Sequence, residues 1–232
     1  MPGLDTADFF QNWLVNGSGG TCWPSSNALF ALISSYGFAA RRVAGSMYDL
    51  PDPNHGTVKV CIDGTDYLAD AGMLAVEPIA LNGEFCIRSE GPVRFEVEFQ
   101  PEGIFFWSDF PPTAEFIPCR LRLDPVDLAF YKSRYEASRQ FSPFNERLYL
   151  RKMNAGQIDV LLGNGHFRRV GGELEARTLS AAELCEAMHE IGGVSESLIE
   201  RWADAGGLES TMNPVGQMPE FPDCGPRPSQ RM

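Results

Sequence analysis

The sequence predicts an α+β protein: a helical N-terminal segment that carries a candidate nucleophile, a central antiparallel β-barrel and a C-terminal α/β lid. Three patterns support this. Residues 1–37 hold apolar side chains at helical spacing, residues 38–122 form short β-rich runs between turn residues, and residues 123–209 mix both patterns. Residues 210–232 are rich in Pro, Met and Gly without periodicity, which predicts a mobile tail.

The composition is that of a folded globular chain, and it disfavours several partners. Of 232 residues, 44% are hydrophobic and 22% charged. The formal net charge of −12 repels nucleic acid and anionic membranes. No apolar run approaches the roughly 20 residues of a membrane-spanning helix, and residues 1–5 do not begin a signal peptide. We therefore expect a cytoplasmic protein that binds neither nucleic acid nor membrane.

Two helices are predicted at the N-terminus. The first covers Asp5–Val15, where apolar positions follow a helical stripe. The glycine-rich stretch 16–20 ends it. The second covers Cys22–Tyr36, with Pro24 in the first turn, where the missing N–H costs nothing. Cys22 is therefore expected at the N-terminus of a helix.

The later elements are predicted from the same kinds of pattern. Six runs are expected to form the barrel: Val43–Tyr48, Val58–Ile62, Tyr67–Ala69, Cys86–Arg88, Val93–Phe99 and Ile104–Trp107. Asp63-Gly64 is a two-residue hairpin signal between the second and third. The lid is expected to hold a helix over 123–139, strands over 148–153 and 158–162, and two helices that start at Ser180 and Ser195.

The six cysteines, at positions 22, 61, 86, 119, 185 and 224, form no CxxC pair. The sequence therefore predicts neither a metal site nor a disulfide framework, and we expect free thiols in a reducing compartment. Most are interpreted as small buried hydrophobic residues. Cys22 is the exception, because a helix N-terminus and a neighbouring imidazolium both favour the nucleophilic thiolate.

Of the three histidines, His55 has the most informative position. If the Asp63-Gly64 loop has two residues, strand pairing places Thr57 opposite Asp70 and His55 opposite Gly72. His55 and Asp70 then lie on one face of the sheet as diagonal neighbours, about 7 Å apart at the backbone. A three-residue loop would reverse this parity. A carboxylate that holds an imidazole in one tautomer is the orienting half of a nucleophilic triad.

Each of these residues also has a structural interpretation. Cys22 alone could be a buried thiol, His55 an exposed turn residue and Asp70 a turn cap. His166 and His189 are interpreted as solvated or hydrogen-bonded surface histidines. The combination of a cysteine at a glycine-rich helix start with a linked His–Asp pair favours catalysis.

At these residues the chain resembles the arylamine N-acetyltransferases. The family's Arg-Gly-Gly-x-Cys helix start is matched by Ser18-Gly19-Gly20-Thr21-Cys22, its histidine segment by Asn54-His55 and its third triad segment by Tyr67–Gly72. Further similar stretches are Asn27–Leu32, Gly37–Arg42, Ser142-Pro143-Phe144 and Gly172–Leu179. The resemblance covers most of residues 5–200.

The sequence departs from the family pattern close to these motifs. Ser18 replaces the arginine before the double glycine, Pro24 replaces the acidic or amide residue after the cysteine, and Met73 replaces an aromatic residue. Asn27 comes one position late, and Leu74 stands where a glycine is usual. Most of the family's helical segment before the cysteine motif is missing, so we expect an N-terminally shortened, divergent member.

The resemblance implies a cysteine-protease-like fold and a two-step acyl transfer through a Cys22–His55–Asp70 triad. A thioester such as acetyl-CoA would acylate Cys22, and a small-molecule amine would accept the acyl group. The resemblance also suggests substrate contacts from Met73, Ser142 and Phe144. CoA phosphates would need local cations, for which the candidates are Arg41, Arg42, Lys59, Arg168 and Arg169.

Two other functions stay open at this stage. An amide synthase of natural-product biosynthesis would take its acyl chain from an acyl carrier protein, and the change at Met73 would open the site for a longer substrate. A catalytically silent binding protein is suggested by the replacements at Ser18 and Pro24. Apolar surface near the shortened N-terminus could also be buried in a homodimer.

Overall fold

The computed structural model describes residues 3–213 apart from positions 84, 91, 102, 110, 113–115, 143, 146 and 155. The helices are α1 (Thr6–Asn16), α2 (Cys22–Ser35), α3 (Leu128–Gln140), α4 (Ala181–Glu190), α5 (Glu196–Asp204) and α6 (Gly207–Met212). The first strands are β1 (Ala39–Met47), β2 (His55–Ile62), β3 (Thr65–Ala69), β4 (Ile79–Ala80), β5 (Cys86–Glu90) and β6 (Val93–Gln100). The others are β7 (Gly103–Asp109), β8 (Phe116–Arg122), β9 (Tyr149–Asn154), β10 (Gln157–Leu162), β11 (Gly165–Val170) and β12 (Glu173–Thr178).

The two N-terminal helices begin and end where local sequence predicts. The Asp5 carboxylate caps α1 by accepting from the Asp8 backbone N–H at 2.8 Å. Gly17 ends α1 in the left-handed conformation, with φ of 62°. A side chain at Gly17 would also collide with the Gly193 carbonyl, since an added Cβ would lie 1.8 Å from that oxygen. The α1–α2 turn is therefore packed against the loop between α4 and α5.

The first eight strands form one antiparallel sheet in the order β4-β3-β2-β1-β8-β7-β6-β5. This sheet is the predicted antiparallel barrel in a curled, half-barrel form: among the described strands, β4 and β5 are its two edges. Strand β4 has only two residues, so this edge of the sheet is short. The predicted α+β class is confirmed.

The β2–β3 hairpin has the predicted register. Val58 pairs with Ala69, and Ile62 pairs with Thr65, which leaves Asp63-Gly64 as a two-residue loop. Both loop residues have positive φ, 50° and 81°, as a type I′ turn requires. The parity that places the side chains of His55 and Asp70 on one face is thus set by the turn.

The remaining strands form a second antiparallel sheet in the order β12-β11-β10-β9. Ile158 and Val160 of β10 are fully buried in the core of the first sheet, so the two sheets share one hydrophobic core. The other face of β10 contributes Leu161 to a core with the C-terminal helices. The capping box at Ser180 and Glu183 is confirmed.

Several boundaries differ from the sequence predictions, among them the starts of α3 and of the predicted tail. Helix α3 begins at Leu128, because the Asp127 side chain caps it by accepting from the Phe130 N–H at 2.8 Å. This helix lies within the predicted lid but packs on α2, where Tyr131 meets Trp23 edge-on at 5.0 Å. Helix α6 covers the start of the predicted tail, and positions 214–232 lie outside the described residues.

Within the described ranges, no helix has both the length and the apolar character needed to cross a membrane.

Candidate active site

Helix α2 lies across β2, and this packing brings Cys22 to His55. The Ser26 hydroxyl donates to the Gly56 carbonyl at 2.6 Å. Trp23 covers Gly56 so closely that an added Cβ would lie 2.7 Å from the indole ring. A glycine next to His55 therefore lets the first turn of α2 approach the strand.

His55 and Asp70 form a buried pair at the open end of the β2–β3 hairpin. His55 is the first residue of β2 and Asp70 follows the last residue of β3. His55 Nε2 lies 2.7 Å from Asp70 Oδ2, and the two residues are only 5% and 3% exposed. Cys22 lies beside the same ring, because a Cβ added at Gly72 would be 3.1 Å from His55 Cε1 and 3.4 Å from Cys22 Cβ. The structure thus brings together the three residues that sequence reasoning selected.

The Asp70 carboxylate is held by donors on several sides. Oδ1 accepts from the Met73 backbone N–H at 2.8 Å, and Oδ2 faces His55 Nε2 at 2.7 Å. Burial alone would raise the pKa of Asp70, but the contacts to His55, Thr57 and Met73 outweigh it and lower this pKa. Asp70 is therefore ionised at neutral pH.

The charged form of His55 is stabilised by its two partners. Burial opposes the imidazolium, but Asp70 and then Cys22 more than compensate, so the pKa of His55 lies well above its usual value. Because Nε2 faces Asp70, Nδ1 is the nitrogen left for Cys22. The arrangement can hold a proton between sulfur and ring.

Cys22 is the first residue of α2 and is partly exposed. Its sulfur lies 3.7 Å from the Asn54 carbonyl, to which the thiol donates. The first turn of a helix presents N–H groups without intrahelical acceptors. Pro24 supplies none, so the N–H groups of Cys22 and Trp23 are the first-turn donors next to the sulfur. These groups can stabilise negative charge that develops there.

Gly72 lies between the three side chains. An added Cβ would be 3.1 Å from His55 Cε1, 3.3 Å from Asp70 Oδ1 and 3.4 Å from Cys22 Cβ. Any side chain at this position would therefore displace one of them. The sequence predicts this contact, because the two-residue turn sets a register in which Gly72 is opposite His55.

The three predicted substrate contacts lie in different surroundings. The Met73 side chain is 3% exposed, in the core of the first sheet, where Ser108 Oγ lies 3.5 Å from its sulfur. The backbone N–H of Met73 donates to Asp70, and its substrate contact stays a prediction. Phe144 is 38% exposed and stacks on Tyr149 at 4.6 Å. Pro143, which separates Ser142 from Phe144 in the sequence, lies outside the described residues.

Ser142 lines a cavity of about 960 Å³ between α3 and the segment before α1. Leu4, Thr21, Asn27 and Arg42 also line it. Thr21 immediately precedes Cys22, so the cavity lies beside the start of α2. Cys22, His55 and Asp70 themselves are not part of its lining.

Most of the cations predicted for phosphate binding are paired with carboxylates. Lys59 contacts Asp66 at 2.9 Å, Arg168 contacts Asp159 at 2.9 Å and Arg169 contacts Asp109 at 3.1 Å. Arg42 instead donates to Asn27 Oδ1 at 2.7 Å and lies 3.9 Å over the Phe30 ring. Burial lowers the pKa of Arg42, although Tyr131 and Asp127 act in the opposite direction.

The other histidines lie outside this site. His166 is buried, with Nε2 2.8 Å from Asp159 and Nδ1 accepting from Arg177 at 3.1 Å, so both ring nitrogens are occupied. It is not the surface residue that the sequence suggested, because β11 points it into a polar cluster. His189 is about half exposed and bonds the Val194 carbonyl at 2.9 Å.

Sequence reasoning did not single out Cys119, which lies beneath the site. It is fully buried, and an added Cβ on Gly45 would lie 2.5 Å from its sulfur and 3.6 Å from His55 Cδ2. Burial raises the pKa of Cys119 to about 12, against the influence of nearby His55. Cys119 therefore stays protonated, unlike a nucleophile.

Comparison with known proteins identifies the relatives of this chain. A family model described as N-acetyltransferase matches residues 2–195. No curated protein sequence matches the chain. Arylamine N-acetyltransferase C from Bacillus anthracis shares 20% identity over 84% of this chain and 81% of its own, with a TM-score of 0.71.

Two further solved structures share the fold at lower identity. The arylamine N-acetyltransferase of Mycobacterium marinum, in complex with CoA, is 16% identical, with a TM-score of 0.75 over 92% of this chain and 82% of its own. An arylamine N-acetyltransferase from Bacillus cereus with a Cys-His-Glu catalytic triad is also 16% identical, with a TM-score of 0.70 over 82% and 79%. Since the family model spans most of the sequence and these relatives share its fold, the chain belongs to the arylamine N-acetyltransferase family.

Proposed function

We propose that this protein transfers an acetyl group from acetyl-CoA to a small-molecule amine, with Cys22 as nucleophile, His55 as acid–base and Asp70 as the residue that orients His55. The observation that carries the proposal is the buried His55–Asp70 pair against the sulfur at the start of α2, in a chain of an N-acetyltransferase family. A cytoplasmic location fits the described cysteines, which are all free thiols.

In the first step the Cys22 thiolate attacks the carbonyl carbon of acetyl-CoA. The carbonyl oxygen becomes an oxyanion, toward which the N–H groups of Cys22 and Trp23 are the nearest helix-start donors. When the intermediate collapses, the carbon–sulfur bond to CoA breaks and the His55 imidazolium gives its proton to the leaving thiolate. The products are acetyl-Cys22 and free CoA.

In the second step the amine nitrogen attacks the carbonyl carbon of acetyl-Cys22. Neutral His55 accepts the proton that the nitrogen loses, and Asp70 stabilises the imidazolium that forms. Collapse of this second intermediate breaks the bond to Cys22 and releases the amide. The resting thiolate–imidazolium pair is restored without any other reactant.

The distribution of charge supports this cycle. Asp70 is ionised, buried and bound by the Met73 N–H, so its charge is fixed before His55 is protonated. A charge already in place does not have to reorganise during the reaction. No observation on the described residues favours the carrier-dependent amide synthase or the silent binding protein over this cycle. No observation on them supports the homodimer either.

Acceptor-dependent release of CoA tests the proposal. Purified protein is given acetyl-CoA with and without an arylamine, and free CoA is measured with a thiol reagent. We expect amine-dependent release in the wild type, none with Cys22→Ser, and wild-type rates with Cys61→Ser, which removes another partly exposed thiol. A preference for a carrier-bound thioester over acetyl-CoA would favour the amide synthase, and no reaction with either donor would contradict the proposal.

A further inference from the structure

The second sheet reaches the candidate active site through one side chain. Arg151 of β9 donates from Nη2 to the backbone carbonyl of Gly72. The guanidinium carbon lies 5.3 Å from the centre of the Tyr149 ring, which stacks in turn on Phe144 at 4.6 Å. Arg151 is part-buried, so its side chain is held between this aromatic stack and the Gly72 carbonyl.

The carbonyl that accepts this bond belongs to the turn that carries Asp70. Within residues 70–73, Asp70 binds His55, the Met73 N–H binds Asp70, and Gly72 lies against both His55 and Cys22. A hydrogen bond from a charged donor fixes the peptide plane more strongly than one from a neutral donor. The position of Gly72 relative to the three side chains therefore depends on a residue 79 positions away.

We propose that Arg151 is a positioning residue for acyl transfer, which holds the Asp70–Met73 turn so that His55 and the Cys22 sulfur stay in contact. This inference rests on the proposed function. When the bond to the Gly72 carbonyl is lost, the turn can move away from His55, and the imidazolium then stabilises the thiolate less. A small displacement of reacting groups lowers rate far more than it lowers stability.

The same sheet offers a matched control in Arg169 of β11. Arg169 donates from Nη1 to the Pro92 carbonyl at 3.1 Å and pairs with Asp109 at 3.1 Å. It is 8% exposed, and like Arg151 it joins the second sheet to the backbone of the first. Its contacts lie at the ends of β6 and β7 rather than on the Asp70–Met73 turn. Because Asp109 and the Pro92 carbonyl hold its guanidinium, Arg169 is given no part in CoA binding in the proposed cycle. Loss of Arg169 should therefore weaken the packing of the sheets without affecting Cys22.

The test compares Arg151→Met, Arg151→Lys and Arg169→Met with the wild type. Acetylation of Cys22 by acetyl-CoA is followed by intact mass, alkylation of Cys22 by iodoacetamide is followed across pH by peptide mass spectrometry, and thermal unfolding is measured in parallel. For Arg151→Met we expect acetylation to slow by about tenfold or more, and alkylation of Cys22 at neutral pH to slow as well. Arg151→Lys keeps the positive charge and replaces the methionine variant in the test if that variant does not fold. It should recover part of the acetylation rate and part of the alkylation rate.

Arg169→Met should keep the wild-type acetylation rate and alkylation profile, even with a lower melting temperature. Wild-type behaviour of Arg151→Met, or an equal shift of the alkylation profile in Arg169→Met, would overturn the inference. Failure of the wild type to be acetylated would contradict the proposed function instead, and the alkylation profiles would still decide whether Arg151 positions the turn.

Discussion

His55 Nε2 and Asp70 Oδ2 are 2.7 Å apart, in a contact closed to solvent on nearly all sides. A two-residue turn sets this pairing, and the pair meets Cys22 only because α2 packs tightly on Gly56. Local turn chemistry and long-range packing thus each supply one half of the proposed catalytic group.

Asp70→Asn should leave the protein folded but nearly inactive. The amide cannot stabilise the imidazolium and can favour the wrong tautomer of His55, so we expect acetyl transfer to fall on the order of 10²- to 10⁴-fold. Steady-state release of CoA with an arylamine measures this. Activity within a few-fold of the wild type would show that Asp70 does not orient His55.

The pair also makes stability depend on pH in a defined direction. The pKa of His55 is raised in the folded protein. Its contribution to folding stability is therefore fully present below the usual pKa of 6.5 and is lost as pH rises through the folded-state pKa. The pKa of Asp70 is lowered in the folded protein. Its contribution to folding stability is therefore fully present above the usual pKa of 3.8 and is lost as pH falls through the folded-state pKa.

We therefore expect the difference in unfolding free energy between the wild type and His55→Gln to shrink as pH rises from 6.5 toward alkaline values. Urea denaturation at a series of pH values measures this difference. A difference that grows over that range would contradict the assigned charge states.

Gly72→Ala should reduce activity through a direct clash. Its Cβ would lie 3.1 Å from His55 Cε1, so the ring must move, at a cost of about 1–3 kcal/mol in stability. Gly19→Ala is the control, because an added Cβ there meets no atom within 4 Å. Circular dichroism and the CoA-release assay together separate folding from activity. Full activity of Gly72→Ala would show that the close contact is not maintained in solution.

Tyr131→Phe should destabilise the protein by about 1–3 kcal/mol. The Tyr131 hydroxyl lies 2.9 and 2.7 Å from the carbonyl oxygens of Val43 and Thr57, which share its one proton as acceptors, and all three residues are buried. Without it, the two carbonyls that hold β1 and β2 beneath α3 lose a donor. Tyr135→Phe, on the same helix, should change the urea midpoint little. Equal midpoints for the two variants would contradict this account.

The parts of the site that sequence could predict are those set by local rules. Asp63-Gly64 predicts the hairpin register, because a two-residue turn needs positive φ at both positions and Asp-Gly accepts it. Cys22 was placed at a helix start by the glycines before it and Pro24 after it. Both are confirmed by the structure.

The parts that sequence could not predict depend on contacts between distant segments. Arg151 meets Gly72 across 79 positions, and nothing near either residue signals the pairing. The substrate contact of Met73 was inferred from the family resemblance and stays a prediction, whereas the bond from its backbone N–H to Asp70 had no signal in the sequence. Strand β4 has only two residues, which is too few to show a strand pattern in the sequence.

The most direct test of the central claim is the intact mass of the protein after incubation with acetyl-CoA alone, without an acceptor. Cys22 is the proposed site of the covalent intermediate, so the wild type should gain the mass of one acetyl group, and later addition of an arylamine should remove it. Cys22→Ala should gain nothing. Acetylation of Cys22→Ala to the same extent as the wild type would contradict the account.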